Sequence, residues 1–402
     1  MTGLIAQHPL LGGMTWHYLQ YILGLSRGGH DAYYVEDSGE WPYNLDGGPT
    51  GEDFSAAGCH PNIAYLASVM SRFGLDDRWA YRCPIDGSWH GLSDARRREI
   101  LRSADLLINV SGTLADPKSY RLDGVLAYID TDPVFTQIKL AKGDRGFQAR
   151  VDAHDVHFSF GECLPGGLPE TGHHWIPTRQ PVVLDEWQHE VAHRRVFSTV
   201  MNWASYKSET FAGRRYGQKD IEFARFIDLP GLVAPAILEM AVRGTSKGRL
   251  PGHRSDRTPD ALPKLLRSKG WHVVDATAVC GDFESYRQHI QSSMAEWTVA
   301  KNAYAEGRPG WFSDRSACYL ASGRPVVVQD TGFGGVLPVG EGLLNFSSVE
   351  EAADGVCRIE SDYARHASAA RQIAREYFAS EKVLGRLIEI ALNGASPEVR
   401  TS

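Results

Sequence analysis

The most informative segment of the sequence is GWFSDRSACYLASGRPVVVQDTGF, residues 310–333. It predicts a short helix over SDRSACYLAS, a break at GRP, a buried strand over VVVQ and a turn at Gly332. At the start of the helix, Ser313 or Asp314 can occupy the N-cap position, where a side-chain oxygen accepts a backbone N–H. A helix that leads directly into a buried strand is typical of a parallel α/β sheet.

The same alternation of strand-like and helical segments runs along the whole chain. Short apolar or alternating runs predict strands at 3–7, 31–37, 122–133, 271–279 and 296–302. Apolar residues at helical spacing predict helices at 14–30, 60–75, 233–244, 262–270 and 285–294. We therefore expect an α/β protein with two doubly wound, Rossmann-like domains that face a cleft.

The composition is that of an ordinary globular protein. The chain has 402 residues, of which 43% are hydrophobic, and a formal net charge of -7. It has no apolar run long enough to cross a membrane and no basic patch, so we expect neither a transmembrane segment nor a nucleic-acid partner. The N-terminus lacks the pattern of a signal peptide, and the six cysteines form no CxxC pair. These features predict a cytoplasmic protein with reduced cysteines.

Two segments carry a resemblance to a known family. Residues 310–333, together with LPVGEGLLNFSSVEEA (337–352), resemble the donor-domain signature of bacterial glycosyltransferases of the GT-B fold, which are family 1 or family 4-like. Residues 8–37 are similar to the opening of their acceptor domain. The resemblance covers nearly the whole chain and implies a nucleotide-diphosphate sugar in the C-terminal domain. Retaining members of the glycogen-synthase type carry two glutamates where Gly310 and Cys318 stand here, so the stereochemical outcome stays open.

The resemblance and the local composition together divide the chain. We expect an acceptor-binding domain at 1–175, a linker at 176–194, a donor-binding domain at 195–379, and a crossover helix with a tail at 380–402. The evidence for a linker near this point is the composition of 161–191, which has four prolines, four glycines and little periodicity. Residues 380–392 carry a broad apolar stripe, which favours docking on the first domain over covering the second domain's own sheet. The last ten residues, NGASPEVRTS, are expected to be disordered.

The donor site should lie where strand ends and helix starts meet, because unpaired N–H groups and the helix dipole favour a diphosphate there. Expected donor residues at the 310–333 segment are Ser313, Asp314, Arg315, Ser316, Asp330, Thr331 and Gly332. Those expected from other strand ends and loops are Lys301, Asp275, Ser205, Lys207 and Ser293, with Lys219 as a second lysine in the same loop region as Lys207.

The candidate catalytic base is a histidine near the first glycine loop. In those members of the resembled GT-B family that invert, a His or Asp just after the first strand often deprotonates the acceptor hydroxyl. His17 and His8 are both candidates, and we prefer His17. An acidic neighbour would hold the histidine tautomer and stabilise the imidazolium. For either histidine alone, a purely structural role fits the sequence equally well.

Asp130 and Asp132 have the spacing of a metal-binding DxD motif, but that usage belongs to a single-domain transferase fold. We therefore predict no metal site. One of the two aspartates would orient the histidine or bind the acceptor, and the alternative is turn and helix-cap chemistry before Pro133. Gly12, Gly13, His157 and Glu162 are expected acceptor contacts.

The sequence thus predicts a metal-independent glycosyltransferase that acts on a hydroxyl of a small-molecule, glycan or lipid acceptor. It should need no cofactor beyond its nucleotide sugar, with UDP or TDP as the nucleotide. Two alternatives are a nucleotide-sugar epimerase of the same fold and a non-catalytic sugar-nucleotide binding protein. Pairing of the chain with a second copy of itself stays open.

Overall fold

The computed structural model describes residues 1–43, 56–120, 123–188, 192–203, 207–242 and 261–394. Its strands are β1 (Tyr34–Glu36), β2 (Trp79–Arg82), β3 (Trp89–Gly91), β4 (Leu106–Val110), β5 (Val125–Asp130), β6 (Val156–Ser159), β7 (Trp175–Pro177), β8 (Val196–Met201), β9 (Glu209–Phe211), β10 (Arg214–Tyr216), β11 (Ile237–Val242), β12 (His272–Asp275), β13 (Ala295–Thr298), β14 (Val326–Gln329) and β15 (Leu343–Phe346). In the described ranges, no helix is long and apolar enough to cross a membrane.

The helices flank these strands in sequence order. They are α1 (Gly12–Arg27), α2 (His60–Arg72), α3 (Asp94–Ser103), α4 (Phe135–Ala141), α5 (Arg145–Val151), α6 (Lys219–Phe223), α7 (Leu229–Val233), α8 (Ala261–Ser268), α9 (Ala276–Cys280), α10 (Phe283–Gln291), α11 (Asn302–Gly307), α12 (Asp314–Ala321), α13 (Val349–Ser361), α14 (Tyr363–Ile373) and α15 (Ser380–Gly394). The helix and strand predicted within 310–333 are confirmed as α12 and β14.

The first half of the chain forms two small sheets. One has the order β1-β2-β3 and the other β4-β5-β6-β7, and all pairs except β2 with β3 are parallel. Thr2 connects them, because it bridges to Val35 while its N–H donates to the carbonyl of Ile108 at 2.9 Å. The strand β7 falls inside the segment whose composition favours a linker.

The strand predicted at 3–7 does not form. The N–H of Ile5 donates to Tyr34 Oη at 2.9 Å, and those of Ala6 and Gln7 donate to the Glu36 carboxylate at 2.9 and 2.7 Å. Two buried side chains therefore take up the N–H groups that a sheet ladder would have used, and the segment forms a turn.

The second half forms one six-stranded parallel sheet in the order β12-β11-β8-β13-β14-β15. The helix predicted at 233–244 is wrong, because β11 fills half of this segment and pairs with β8 on one side and β12 on the other. Its sequence ILEMAV is rich in helix formers, but pairing on both sides overrides that preference. A continuous buried run is typical of such an inner parallel strand.

The last helix crosses back to the first half, as predicted. A Cβ on Gly24 of α1 would lie 2.6 Å from Leu384 Cδ1 and 2.8 Å from Ser380 Cβ, so α15 packs directly on α1. Val182 and Ala379 form a bridge just before it. The apolar core runs without a break from α1 through α12, α14 and α15. Residues 395–402, which include most of the tail expected to be disordered, lie outside the described residues.

Candidate active site

A pocket opens at the carboxyl ends of β13 and β14, next to the starts of α6 and α12. This is the edge of an open parallel sheet at which ligands bind. Its polar lining consists of Lys219, Thr298, Ser313, Arg315, Ser316, Gln329 and Thr331. The indole of Trp311, which also lines the pocket, donates to the carbonyl of Thr131 at 3.3 Å and so connects the pocket to the first half.

The N-terminus of α12 has no side-chain cap. Ser313 stands at the N-cap position, but its hydroxyl donates to Asp314 Oδ1 at 3.3 Å and accepts no capping hydrogen bond. The expectation that one of these two side chains caps the helix is wrong, because they bond to each other and the Asp314 carboxylate also faces the first half of the chain. The dipole of α12 still favours an anion at this end.

Arg315 is held by the protein on all sides of its guanidinium group. It donates to Glu296 Oε1 at 2.5 Å, to the carbonyl of Val200 at 2.7 Å and to Thr298 Oγ1 at 2.9 Å. Burial opposes the charge, but the Glu296 carboxylate outweighs it and raises the pKa of Arg315 above its usual value. Arg315 therefore lines the pocket as a fixed charge that Glu296 already balances.

Lys219, the first residue of α6, contrasts with Arg315. It has no hydrogen bond or ion pair with any residue that the structure describes. Burial, and then the positive charge of Arg315, lower the pKa of Lys219 well below its usual value. The hydroxyl of Ser316 in the same pocket is buried and also lacks a partner among the described side chains and backbone groups. An anionic ligand would satisfy both groups.

His17 lies in α1 and reaches across to α12. Its Nδ1 is 3.5 Å from Asp314 Oδ2, and its Nε2 is 3.5 Å from Ser111 Oγ. Burial disfavours the Asp314 carboxylate, but the neighbouring His17 imidazole outweighs burial and lowers the pKa of Asp314 to about 2. His8, the other candidate base, stacks on Tyr43 with ring centroids 4.8 Å apart.

Asp130, expected near the catalytic histidine, is buried in a network of its own. Its carboxylate accepts hydrogen bonds from Thr136 Oγ1 at 2.7 Å, Ser159 Oγ at 3.0 Å and Gln137 Nε2 at 3.1 Å. Burial raises the pKa of Asp130 to about 6 although these bonds oppose the shift. This contact pattern matches the alternative of turn chemistry, since it holds the segment that follows β5.

Asp132 and Lys301 meet across the cleft. Lys301 Nζ donates to Asp132 Oδ1 at 2.9 Å, and the hydroxyl of Tyr304 contacts the same oxygen. Lys301 was expected on the donor diphosphate and Asp132 near the histidine. The structure instead pairs the two with each other, because the loops after β5 and β13 face one another.

Asp330, Thr331 and Gly332 form the turn after β14. Asp330 accepts from the Gly332 N–H at 2.8 Å and pairs with Arg308 at 2.7 Å. Gly332 has a φ of +93°, and a Cβ there would lie 2.9 Å from the Arg308 carbonyl oxygen, so this position requires glycine. Thr331 lines the pocket.

Ser293, expected in the donor site, lies at the opposite edge of the sheet. It precedes β13 and therefore sits at the amino end of the strand, away from the pocket. Its hydroxyl donates to the His289 carbonyl at 2.7 Å and accepts from Ser198 at 2.5 Å. The donor-site expectation for Ser293 is wrong, because ligands bind at the carboxyl ends of parallel strands.

The remaining donor candidates are not among the lining residues of the pocket. Asp275 ends the edge strand β12, where its carboxylate accepts the Thr277 N–H at 2.9 Å as the N-cap of α9. Lys207 is exposed in the loop before β9. Ser205 falls outside the described residues.

The two glycines expected to form an acceptor loop belong to the first turn of α1. A Cβ on Gly12 would lie 2.1 Å from the carbonyl oxygen of Asp282, and one on Gly13 would lie 3.2 Å from the ring of Tyr286. The prediction of a glycine loop is therefore wrong, because the helix starts at Gly12 itself. The small residues allow α1 to pack closely against the start of α10.

His157 and Glu162 do not share one rim. His157 Nε2 lies 2.9 Å from the Val151 carbonyl oxygen, in a cluster of aromatic rings, and burial lowers the pKa of His157. Glu162 forms a partly buried ion pair with Arg179. The acceptor contact expected for His157 is wrong, because its ring packs against the helix before β6, whereas the one expected for Glu162 stays a prediction.

Sequence reasoning missed three residues of the pocket region. Thr298 and Gln329 are the last residues of β13 and β14, and Glu296 lies two positions before Thr298 and balances Arg315. Their position at or near strand ends was the available signal. Within the described residues, no three His, Cys, Asp or Glu side chains are grouped so that they could hold a metal ion.

No protein-family model matches the chain, and no curated protein matches it in sequence. Solved structures do match. An alpha-glucosyltransferase (AGT) in complex with UDP gives a TM-score of 0.54 at 10% identity, over 97% of this chain and 98% of that one. An alpha-glucosyltransferase in complex with UDP-glucose and DNA containing an abasic site gives 0.53 at 10% identity, over 97% of both chains. Anabaena HepE in complex with UDP gives 0.50 at 12% identity, over 81% of this chain and 88% of that one. These proteins are GT-B glycosyltransferases, and the chain has their GT-B fold, with two parallel-sheet halves facing a cleft.

Proposed function

We propose that this protein transfers a sugar from a nucleotide-diphosphate sugar to a hydroxyl of a small-molecule, glycan or lipid acceptor. The observation that carries the proposal is the pocket at the end of the six-stranded sheet, in which Lys219 has no partner among the described residues. Placing a cation there without a counter-charge is costly, and the diphosphate of a donor would supply that counter-charge. The GT-B fold supports the proposal, because AGT and HepE share it and were solved with UDP.

In this proposal the donor binds with its diphosphate between Lys219 and the N-terminus of α12. Lys219, the Ser316 hydroxyl and the helix dipole stabilise the negative charge that develops on the leaving diphosphate. The lysine and the helix can do this without a metal ion. We propose UDP or TDP as the nucleotide, residues 195–379 as the donor domain and residues 1–175 as the acceptor domain.

His17 is the proposed general base. Its ring faces the cleft from α1, and its Nε2 is directed toward Ser111 in the first half, on the acceptor side. In the reaction, Nε2 takes the proton of the acceptor hydroxyl while the hydroxyl oxygen attacks the anomeric carbon and the diphosphate leaves. A neutral imidazole can carry out this transfer near neutral pH.

The proposal is tested with a panel of UDP, TDP, GDP and ADP and their sugars. Binding of UDP or TDP should raise the melting temperature, since a ligand at 100 times its Kd stabilises the folded state by about 2.7 kcal/mol. Slow release of nucleoside diphosphate from the matching sugar donor should accompany it. No shift and no release with any donor would contradict the proposal, and a changed sugar still attached to its nucleotide would point to an epimerase.

His17→Gln should retain nucleotide binding and lose release and transfer, because the base is absent while Lys219 remains. His30→Gln is the matched control, since His30 is exposed beyond the end of α1. Full turnover in His17→Gln would exclude His17 as the base.

A further inference from the structure

Asp314 stands at the donor helix but does not line the donor pocket. Its neighbours Ser313, Arg315 and Ser316 all line the pocket, whereas Asp314 is not among the lining residues. Its Oδ1 accepts from the Ser313 hydroxyl, and its Oδ2 faces His17 Nδ1 at 3.5 Å. The carboxylate is therefore directed away from the place proposed for the diphosphate and toward the first half of the chain.

The surroundings of His17 leave few groups that could orient its ring. Tyr18, Tyr21 and Phe160 pack around it with ring centroids 4.8, 6.1 and 6.2 Å away. Among the described residues, Asp314 is the acidic group paired with the imidazole, and the neighbouring charge is Arg315, which Glu296 balances. A separation of 3.5 Å is long for a hydrogen bond, and such catalytic contacts often tighten only in the substrate complex.

We infer that Asp314 is the positioning residue of His17, supplied across the cleft by the donor half. This inference rests on the proposed role of His17 and reassigns Asp314, which the sequence placed among the donor ligands. With its carboxylate at Nδ1, Asp314 holds the proton on that nitrogen and leaves Nε2 as the acceptor of the hydroxyl proton. It also stabilises the imidazolium that forms.

The arrangement couples the two substrates. The base belongs to α1 in the first half, and its orienting carboxylate belongs to the first turn of α12, the helix at the donor pocket. The base is fully assembled only while the two halves are in contact at this point. Because Asp314 is adjacent to the pocket-lining residues Ser313 and Arg315, donor binding at α12 acts on His17 through Asp314.

The kinetic test is Asp314→Asn, a substitution of nearly the same shape. Turnover should fall about 100-fold, within the range that general-base catalysis contributes, while the Kd for UDP changes less than about two-fold. In a His17→Gln background the same substitution should have no further effect, because the group that Asp314 orients is gone. Asp314→Glu should retain more turnover than Asp314→Asn, because it keeps a carboxylate near His17. Asp362→Asn is the matched control, an exposed aspartate at the start of α14.

A second readout does not depend on turnover. The tautomer of the His17 ring is followed by ¹⁵N NMR in histidine-labelled protein and assigned with His17→Gln. In wild type the ring proton should be on Nδ1, which faces Asp314, and in Asp314→Asn this preference should be lost, because the carboxylate that accepts from Nδ1–H is gone.

Three outcomes would overturn the inference. They are an unchanged His17 tautomer in Asp314→Asn, unchanged turnover in Asp314→Asn, and a ten-fold or larger loss of UDP affinity in that variant. The last would return Asp314 to the donor ligands. If the wild-type protein binds no nucleotide and releases none, the proposed function fails, while the NMR tautomer measurement still decides whether the pair exists.

Discussion

The two edges of the cleft satisfy their polar groups in different ways. At the edge of the first half, Asp130 is bonded by Thr136, Gln137 and Ser159, and Glu36 by the turn at residues 5–7. At the edge of the second half, Lys219 and the Ser316 hydroxyl have no partner within the described residues. A buried polar group without a partner costs about 1–3 kcal/mol. The comparison indicates that protein groups satisfy the Asp130 and Glu36 carboxylates at the first edge, whereas Lys219 and Ser316 at the second edge would gain a partner from an anionic ligand.

Two cations at the second edge of the cleft, Arg315 and Lys219, differ in the same way. Arg315 and Lys219 line the same pocket, but three protein groups hold Arg315 and none of the described residues holds Lys219. Arg315, whose hydrogen bonds are already made, contributes a fixed shape and a positive electrostatic potential to the pocket. Lys219, which has no such partner among the described residues, gains more from an incoming anion.

The largest expected effect is a loss of stability, and it concerns Arg315, the cation whose hydrogen bonds are already made. Glu296→Ala should lower the free energy of unfolding by about 3–5 kcal/mol, because it leaves the buried Arg315 without its counter-charge. Urea unfolding measures the loss. Glu341→Ala is the control, since its ion pair with Arg365 is exposed and should contribute at most about 1 kcal/mol. A similar small loss in Glu296→Ala would show that Arg315 does not depend on Glu296.

A pH series tests the first edge. Burial raises the pKa of Glu36 to about 7, whereas Asp314 has a pKa lowered to about 2. Between an unfolded pKa near 4.5 and about 7, the folded protein holds more protons at Glu36 than the unfolded chain. Stability due to this group therefore falls as pH rises through that window, by an amount on the order of 3 kcal/mol.

Wild type should accordingly lose stability relative to Glu36→Gln between pH 5 and pH 7, as measured by urea midpoints. For Asp314 the sign is reversed, since its contribution is complete above the unfolded pKa near 4 and is lost as pH falls toward 2. If the urea midpoints of wild type and Glu36→Gln differ by the same amount at every pH, the pKa of Glu36 is not raised in the folded protein.

Lys219→Met tests whether the second edge of the cleft binds the diphosphate of the donor. UDP affinity should fall about 10- to 100-fold, which corresponds to one charge-assisted hydrogen bond. The unliganded variant should at the same time be more stable than wild type, because a methionine fills the site without a desolvated amine. Titration calorimetry and urea unfolding measure the two effects. Lys207→Met, in an exposed loop, is the control. Equal UDP affinity in both variants would show that Lys219 has no particular role in binding the diphosphate.

The smallest expected effect is that of metal removal. Nucleoside diphosphate release should be unchanged by EDTA, since the proposal assigns the stabilisation of the diphosphate to Lys219 and α12. An absolute requirement for Mg²⁺ or Mn²⁺ that Asp130→Asn abolishes would contradict it and restore the DxD interpretation.

Local sequence was sufficient for the elements with strong patterns. α12 and β14 follow from a helical run, a break and a buried apolar run, and α15 was expected on the first half from the breadth of its apolar stripe. The segments at 3–7 and 233–244 were predicted wrongly for one shared reason. In both, distant partners decide the backbone: Tyr34 and Glu36 take up the N–H groups of the first, and β8 and β12 pair with the second.

The same division holds for the site. The α/β pattern, the helix start at Ser313 and the polar residues available near strand ends could be predicted from the sequence. The packed structure was needed to show that Asp314 faces His17, that Asp132 pairs with Lys301, and that Arg315 is bound while Lys219 has no partner among the described residues. Periodicity and capping depend on neighbours within a few residues, which a sequence displays directly. The pairings of Asp314 with His17 and of Asp132 with Lys301 join residues more than a hundred positions apart, and that of Arg315 with Glu296 joins a helix to a neighbouring strand. These distances exist only once the elements have packed.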